Sequence, residues 1–364
     1  MTKIRVLVVE DSATVRQHLV ATLRTDPDIL VVGEASDGQN AIRLCERLHP
    51  DVVTLDMMIP NGNGVEVTEY IMAYRPTPIV IVSASVNRGE LLHTYDALAA
   101  GALDVVEKPD GNESPEGWAS RFKSTVKVAS RIKVITHPRG RLRKASALLD
   151  KPQIADPVGL KSHEGPISTP GGRYSLVAIG ASTGGPAAVA QILSALRPPI
   201  PLPILLVLHI GQPFGAALSE WLGTILPLPV SEAKHGEMIP APGTPRLILA
   251  PADQHLTISG NRILLDRGPE RHSCRPSVDV LFESVARELG PRSIGCLLTG
   301  MGRDGAAGLL AMKRAGSTTL VQDESSSVVF GMPREAIRLG AAMRILPLGE
   351  FPAMLTSLAE RSTS

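Results

Sequence analysis

The sequence predicts an α/β protein of two doubly wound domains, one on a five-stranded parallel sheet, the other larger, mostly parallel and carrying an antiparallel hairpin. Three observations carry this expectation. Short β-branched runs alternate with helix-length amphipathic segments on both flanks of the chain. The 364 residues suffice for two domains, at roughly 100–200 residues each. Between the flanks lies a joint of different composition, with ten Lys/Arg against one acid from Arg121 to Lys151. A Pro/Gly/Ser-rich stretch, including GPISTPGG, then runs to Gly172 and reads as a flexible connection.

In order along the chain, the first five runs are Arg5–Val9, Ile29–Val32, Val52–Leu55, Ile79–Val82 and Asp104–Val106. Beyond the joint come Leu176–Ile179, Ile204–Leu208, Leu247–Ala250, Ile294–Leu298, Thr319–Val321 and Arg344–Leu346. HLTISGNRILLD (255–266) interrupts them as a hairpin turning at Gly260-Asn261. The domain boundaries expected are 1–125, a linker over 126–172, and 173–364.

Composition excludes several classes. Lys+Arg is 37 and Asp+Glu 36, and the basic excess sits in the joint, leaving 27 basic against 35 acidic residues elsewhere. No nucleic-acid partner is expected, because a general binder carries a larger basic excess and only 3% of residues are aromatic. The 43% hydrophobic content excludes wholesale disorder. Cys45, Cys274 and Cys296 are odd in number and show no metal-like spacing, so neither a disulfide framework nor structural zinc is expected. No segment approaches the ~18 continuous apolar residues of a membrane span, and MTKIRVLVVEDS lacks a signal-peptide cleavage site. Insertion into a membrane is not expected, and the location expected is cytoplasmic.

Ligands of open α/β sheets sit beyond the carboxyl ends of the strands. In the N-terminal unit those ends carry Glu10-Asp11, Asp56, Ser83 and Lys108. Converging carboxylates repel unless a hard cation joins them, and Mg²⁺ with oxygen ligands fits. A carboxylate beside Mg²⁺ can accept a phosphoryl group, with Lys108 and the Ser83 hydroxyl binding the new oxygens. These residues, with Asp56 followed by MMIP and with EKP at 107–109, resemble a response-regulator receiver domain over about residues 3–125. The resemblance implies that a histidine kinase supplies the phosphoryl group to Asp56. It also implies that Asp11, Asp56 and the Met58 carbonyl hold the metal, with Glu10 as the other acid of the pair. Glu10 stands where such domains more often have Asp, and NGNG (61–64) where an acid often precedes Gly.

In the C-terminal unit, a strand runs into GASTGGP (180–186) and then a helix. This fits the G-x-S-x-G turn that presents a serine hydroxyl. A dinucleotide-binding loop would need an acid on the next strand, which ends instead in His209; a P-loop would need a Lys after the glycines. A later strand ends in TGMGRDG (299–305). Ser182, His209 and Asp304 would then meet at one sheet edge: nucleophile, base and orienting carboxylate, with glycine-rich backbone to stabilise an oxyanion. Asp253 and Asp279 are rival carboxylates.

With the receiver-like half, these residues resemble the chemotaxis protein-glutamate methylesterase family over essentially the whole chain. The matching segments are IGASTGGP (179–186), LVLHI (206–210), APADQHL (250–256), RPSVDVLFESVA (275–286), LLTGMGRDGA (297–306) and QDESSSVVFGMP (322–333). One departure is HIGQPF (209–214), where the family commonly has Met-Pro after the histidine. The resemblance implies an oxyanion donor at the Met301 backbone and no cofactor for the esterase site. It implies hydrolysis of γ-glutamyl methyl esters on the cytoplasmic helices of methyl-accepting chemoreceptors, glutamine deamidation at the same site, and a receiver that covers the site until Asp56 is phosphorylated. Two other readings compete. A binding module without hydrolase activity would lack a triad member, and none is missing. A DNA-binding regulator would need a basic C-terminal reading helix.

Overall fold

The computed structural model describes residues 3–84, 88–109, 114–132, 134, 174–210 and 214–360. Most of the expected linker, and Gly211 to Pro213 within HIGQPF, lie outside the described residues.

The N-terminal unit runs β1 (Ile4–Val9), α1 (Ala13–Arg24), β2 (Ile29–Ala35), α2 (Gly38–Leu48), β3 (Val52–Leu55), α3 (Gly64–Tyr74), β4 (Ile79–Ser83), α4 (Arg88–Ala99), β5 (Asp104–Glu107) and α5 (Pro115–Ala129). Its five strands form the expected parallel sheet in the order β2-β1-β3-β4-β5. β3 and β4 are buried along their whole length, as strands covered by helices on both faces must be. Local chemistry sets the helix starts: Ser12, Asp37, Asn63 and Ser114 each accept a backbone N–H in the first turn. Asn63 thus accounts for part of NGNG, and Asn61 and Gly62 supply left-handed backbone just before it. Part of the basic joint is spent on α5 itself, where Lys127 reaches Asp26 and Asp28, both at 2.9 Å.

The C-terminal unit contains β6 (Leu176–Ala181), α6 (Gly185–Ala195), β7 (Pro203–Leu208), α7 (Phe214–Ile225), β8 (Val230–Glu232), β9 (Arg246–Leu249), β10 (His255–Ser259), β11 (Arg262–Asp266) and α8 (Val278–Glu288). It continues with β12 (Ser293–Leu297), α9 (Ala306–Arg314), β13 (Thr318–Gln322), α10 (Met332–Arg338), β14 (Arg344–Leu346) and α11 (Phe351–Glu360). Seven strands form a parallel sheet in the order β14-β13-β12-β6-β7-β9-β8. β10 and β11 are the expected hairpin, turning through Gly260 at φ 56°. β8 is the strand absent from the sequence reading. It has three half-buried residues at the sheet edge and follows Pro229, so it lacks a recognisable hydrophobic run.

The sheet order places the C-terminal end of β6 between those of β7 and β12, where the connections leave in opposite directions. That is the switch point at which open α/β sheets bind ligands. In the first unit, β1 and β3 make the corresponding point.

The two units touch through α4 and α7. The buried Tyr95 hydroxyl donates to the Phe214 carbonyl at 2.7 Å, and its ring stacks on Trp221 with centroids 5.4 Å apart. Trp221 Nε1 donates to Asp96 Oδ1 at 3.0 Å.

Candidate active site and phosphoacceptor pocket

At the first switch point, Glu10 and Asp56 are buried at adjoining strand ends and Asp11 is exposed beside them. Lys108 Nζ lies 2.9 Å from Glu10 Oε2 and 3.0 Å from Asp56 Oδ2. Burial pushes both buried carboxyls above the usual range; Asp56 adds to this on Glu10, and Asp11 on Asp56, while Lys108 opposes it. One oxygen from each of the three acids falls within 4.8 Å of the others, and Glu10 Oε2, despite its ion contact, accepts no well-aligned hydrogen bond. Such an all-oxygen set with a spare buried acceptor suits a hard divalent cation. The Met58 N–H donates to Asp56 Oδ1 at 3.4 Å.

Ser83 is fully buried at the end of β4, and its Oγ donates to Glu90 Oε1 at 2.7 Å. The Ala84 N–H donates to the same oxygen at 2.9 Å. Glu90, at the start of α4, was not singled out from the sequence, where it reads as an ordinary first-turn acid.

The second switch point gathers Ser182, His209 and the loop bearing Met301 and Asp304. Ala181 pairs with Leu208 in the β6–β7 register, so Ser182 and His209 follow neighbouring strand ends at the same level. The His209 N–H bonds to the Ala181 carbonyl at 3.2 Å, and the Ser182 N–H to the Thr299 carbonyl at 3.0 Å. A Cβ on Gly300 would stand 2.8 Å from Ser182 Cβ, so only glycine lets this loop lie against the serine. Gly184, at φ 76°, then starts α6 and sets Ser182 just before the positive end of a helix.

His209 Nε2 lies 2.8 Å from Asp304 Oδ2. The Asp304 carboxylate is buried and well supplied with donors: Ser277 Oγ at 2.7 Å, Val278 N at 2.7 Å and Asp279 N at 3.1 Å. Burial works to raise its pKa, but His209 and these donors outweigh it and hold the group below the usual range. For His209, burial favours the neutral ring, yet Asp304 and Cys274 push the pKa up to about 9. The rival acids are engaged elsewhere, Asp253 with Arg275 at 2.6 Å and Asp279 with His272 at 3.1 Å.

With Nε2 turned to Asp304, Nδ1 faces Cys274 Sγ at 3.7 Å. Among the described residues no hydrogen bond joins Ser182 Oγ to His209. Cys274 is the neighbour that the sequence reading left unused. The segment from 271 to 274 folds back on itself, joined by an Arg271–Cys274 bridge, and no strand run announces it.

The units meet at this site too. Thr183 Oγ1 donates to Asp104 Oδ2 at 3.0 Å. Asp104 keeps some accessible surface, but its carboxylate is packed into the contact, and burial pushes its pKa up. A cavity of about 130 Å³ lies between α5 and the loops after β6 and β12, with Thr183 and Met301 on one wall and Arg121, Thr125 and Val128 on the other.

Residues 177–355 match the sequence family described as CheB methylesterase, and residues 6–114 the response regulator receiver domain. A protein-glutamate methylesterase/protein-glutamine glutaminase of Nitrosospira multiformis is 42% identical over 362 residues, 98% of each chain. A similarly named protein of Geobacter metallireducens is 40% identical over 360 residues, 98% of this chain and 99% of that one. The crystal structure of the Thermotoga maritima CheB methylesterase catalytic domain is similar at 34% identity and a TM-score of 0.48, covering 51% of this chain and 98% of that one. Among the described residues no helix is long and apolar enough to cross a membrane. With both domains present and a relative matched almost end to end, the chain belongs to the CheB methylesterase family, with a receiver domain preceding the catalytic one.

Proposed function

We propose that this protein-glutamate methylesterase/protein-glutamine glutaminase acts through Ser182, His209 and Asp304, under control of phosphorylation at Asp56. The observation that carries the reading is the 2.8 Å His209–Asp304 pair at the strand end beside Ser182. Because Nε2 is committed to Asp304, Nδ1 takes the proton of Ser182 Oγ as the oxygen attacks the ester carbonyl. Backbone N–H groups of the glycine-rich loop, Met301 among them, hold the tetrahedral oxyanion. His209 then returns the proton to the departing methoxide, releasing methanol and leaving an acyl-serine. Water, deprotonated by the same nitrogen, releases the glutamate. A glutamine substrate follows the same path with ammonia as leaving group. The esterase chemistry needs no cofactor.

In the receiver domain, taken as residues 1–125, a histidine kinase supplies the phosphoryl group to Asp56. Glu10, Asp11, Asp56 and the Met58 carbonyl would hold Mg²⁺, which supplies positive charge beside the phosphoryl oxygens. Lys108 binds those oxygens from its place between Glu10 and Asp56, and Ser83 joins it on leaving Glu90. Residues 126–172 link this domain to the catalytic domain, 173–364. The substrates are methyl-accepting chemoreceptors, reached from the cytoplasm without membrane insertion or a nucleic-acid partner. The Thr183–Asp104 bond and the cavity beside Met301 support a receiver that covers the site until phosphorylation releases it. The test is methanol release from methylated receptor, with and without a phosphoryl donor, by wild type and Ser182→Ala.

A further inference from the structure

A second chain of polar contacts runs alongside the triad and ends in a cation. Asp279 is fully buried, and besides the Gly308 N–H at 2.6 Å it accepts from His272 Nε2 at 3.1 Å. His272 Nδ1 in turn faces Arg303 Nε at 3.1 Å. The donors settle the tautomer. Arg303 can only donate, so Nδ1 accepts, and the ring proton sits on Nε2 toward Asp279.

The backbone over-determines this arrangement. His272 and Ser273 are both in the left-handed region, at φ 54° and 59°, without being glycine. They form the tip of a two-residue turn closed by reciprocal Arg271–Cys274 hydrogen bonds of 3.1 and 2.9 Å. Non-glycine residues hold such conformations where surrounding contacts impose them.

Three arginines ring this part of the site. Arg271 grips Glu283 at 2.6 and 2.7 Å, and Arg275 grips Asp253. Arg303 is exposed and, among the described residues, makes no ion pair. Glu335 feels its charge, but both oxygens of that carboxylate are held by Arg338. Arg303 also stands in the loop of Met301 and Asp304, next to the proposed oxyanion donor. Its Nε is fixed by His272, which leaves the two Nη groups for a partner outside the chain.

We propose that Arg303, positioned by the Asp279–His272 relay, binds a second carboxylate on the substrate helix, so that esters flanked by a free acid are preferred. On a helix, residues three or four positions apart lie on one face about 5–6 Å apart, close enough for one to enter the site while the other meets the rim. A guanidinium matches a carboxylate in planarity and donor spacing. The inference rests on the esterase reading above and extends it to substrate choice.

The test uses the full-length chain, activated with acetyl phosphate and Mg²⁺, and two helical peptides. Each carries one γ-methyl glutamate, with Glu four residues away in the first and Gln in the second. Methanol release gives kcat and KM separately. Wild type should favour the acidic peptide by about fivefold in kcat/KM, the difference lying in KM and shrinking as salt is raised. Arg303→Gln should bring the ratio close to one, Arg303→Lys should keep part of it, and His272→Ala should lower it. A wild-type ratio near one, a ratio insensitive to salt, or an undiminished ratio in Arg303→Gln overturns the inference. Methanol from neither peptide overturns the esterase reading itself, and the inference with it.

Discussion

A serine hydroxyl attacks an ester only when a neighbouring base can take its proton, and the proposed base, His209, is strongly perturbed. Asp304 and Cys274 hold the His209 pKa at about 9, so near neutrality the ring is mostly protonated and few molecules carry a free base. The esterase rate should therefore climb from about neutrality to about 9 and then level, read as methanol release against pH. A plateau beginning near the ordinary histidine value would contradict the pairing. Stability should move the opposite way. A pKa raised on folding gives a contribution that is complete below 6.5, the ordinary value, and disappears as pH rises through about 9. The depressed Asp304 pKa gives a complementary contribution, present above 3.8 and lost in stronger acid. Substitutions divide along the same roles. Ser182→Ala and His209→Gln should each cost roughly 10⁶ in turnover, and Asp304→Asn roughly 10⁴, judged from other serine hydrolases. A Ser182→Ala enzyme keeping more than about a tenth of the wild-type rate would rule out this nucleophile.

At the scale of elements, burial determines what could be read in advance. The strands on both faces of which helices pack, such as β3, β4 and β7, are continuous apolar runs and stand out from their surroundings. β8 does not, because a three-residue, half-buried edge strand carries no such run. Ser182 and His209 were legible because each directly follows a strand. Asp304 could be ranked above Asp279 but not separated from it: both lie close to helix starts, and only the loop at 271–274 decides that Asp279 goes to His272. The Ser83–Glu90 bond crosses from a strand end to the next helix, and nothing in a first-turn glutamate announces such a partner. The α4–α7 contact was hidden for a related reason. Tyr95 and Trp221 look like core residues of their own helices, since an apolar face reads the same whichever unit covers it. Tyr95→Phe tests that contact, because it removes the hydroxyl bonded to the Phe214 carbonyl and keeps the ring on Trp221. Losing about 1 kcal/mol of contact should raise the unphosphorylated rate roughly fivefold. An unchanged rate would show that α4 does not restrain the enzyme.

For the whole molecule, the proposed phosphoacceptor pocket and the proposed esterase site belong to different sheets joined by a short chain of contacts. Ser83 is tied to Glu90 at the start of α4, and α4 carries Tyr95 and Asp96 onto α7. Asp104, at the start of β5, reaches Thr183 beside Ser182. Drawing Ser83 toward a phosphoryl group on Asp56 would break its bond to Glu90 and so loosen the element that docks the receiver. Little bias is required, since about 1.4 kcal/mol between covered and open arrangements gives tenfold activation, and a domain contact of modest size can supply it. The decisive measurement compares methanol release at equal concentration by the unphosphorylated chain, the chain treated with acetyl phosphate and Mg²⁺, and a chain beginning near Gly172. The cover account predicts the lowest rate for the unphosphorylated chain and higher rates for both others, with Asp56→Asn abolishing the response to acetyl phosphate. Three equal rates would contradict it.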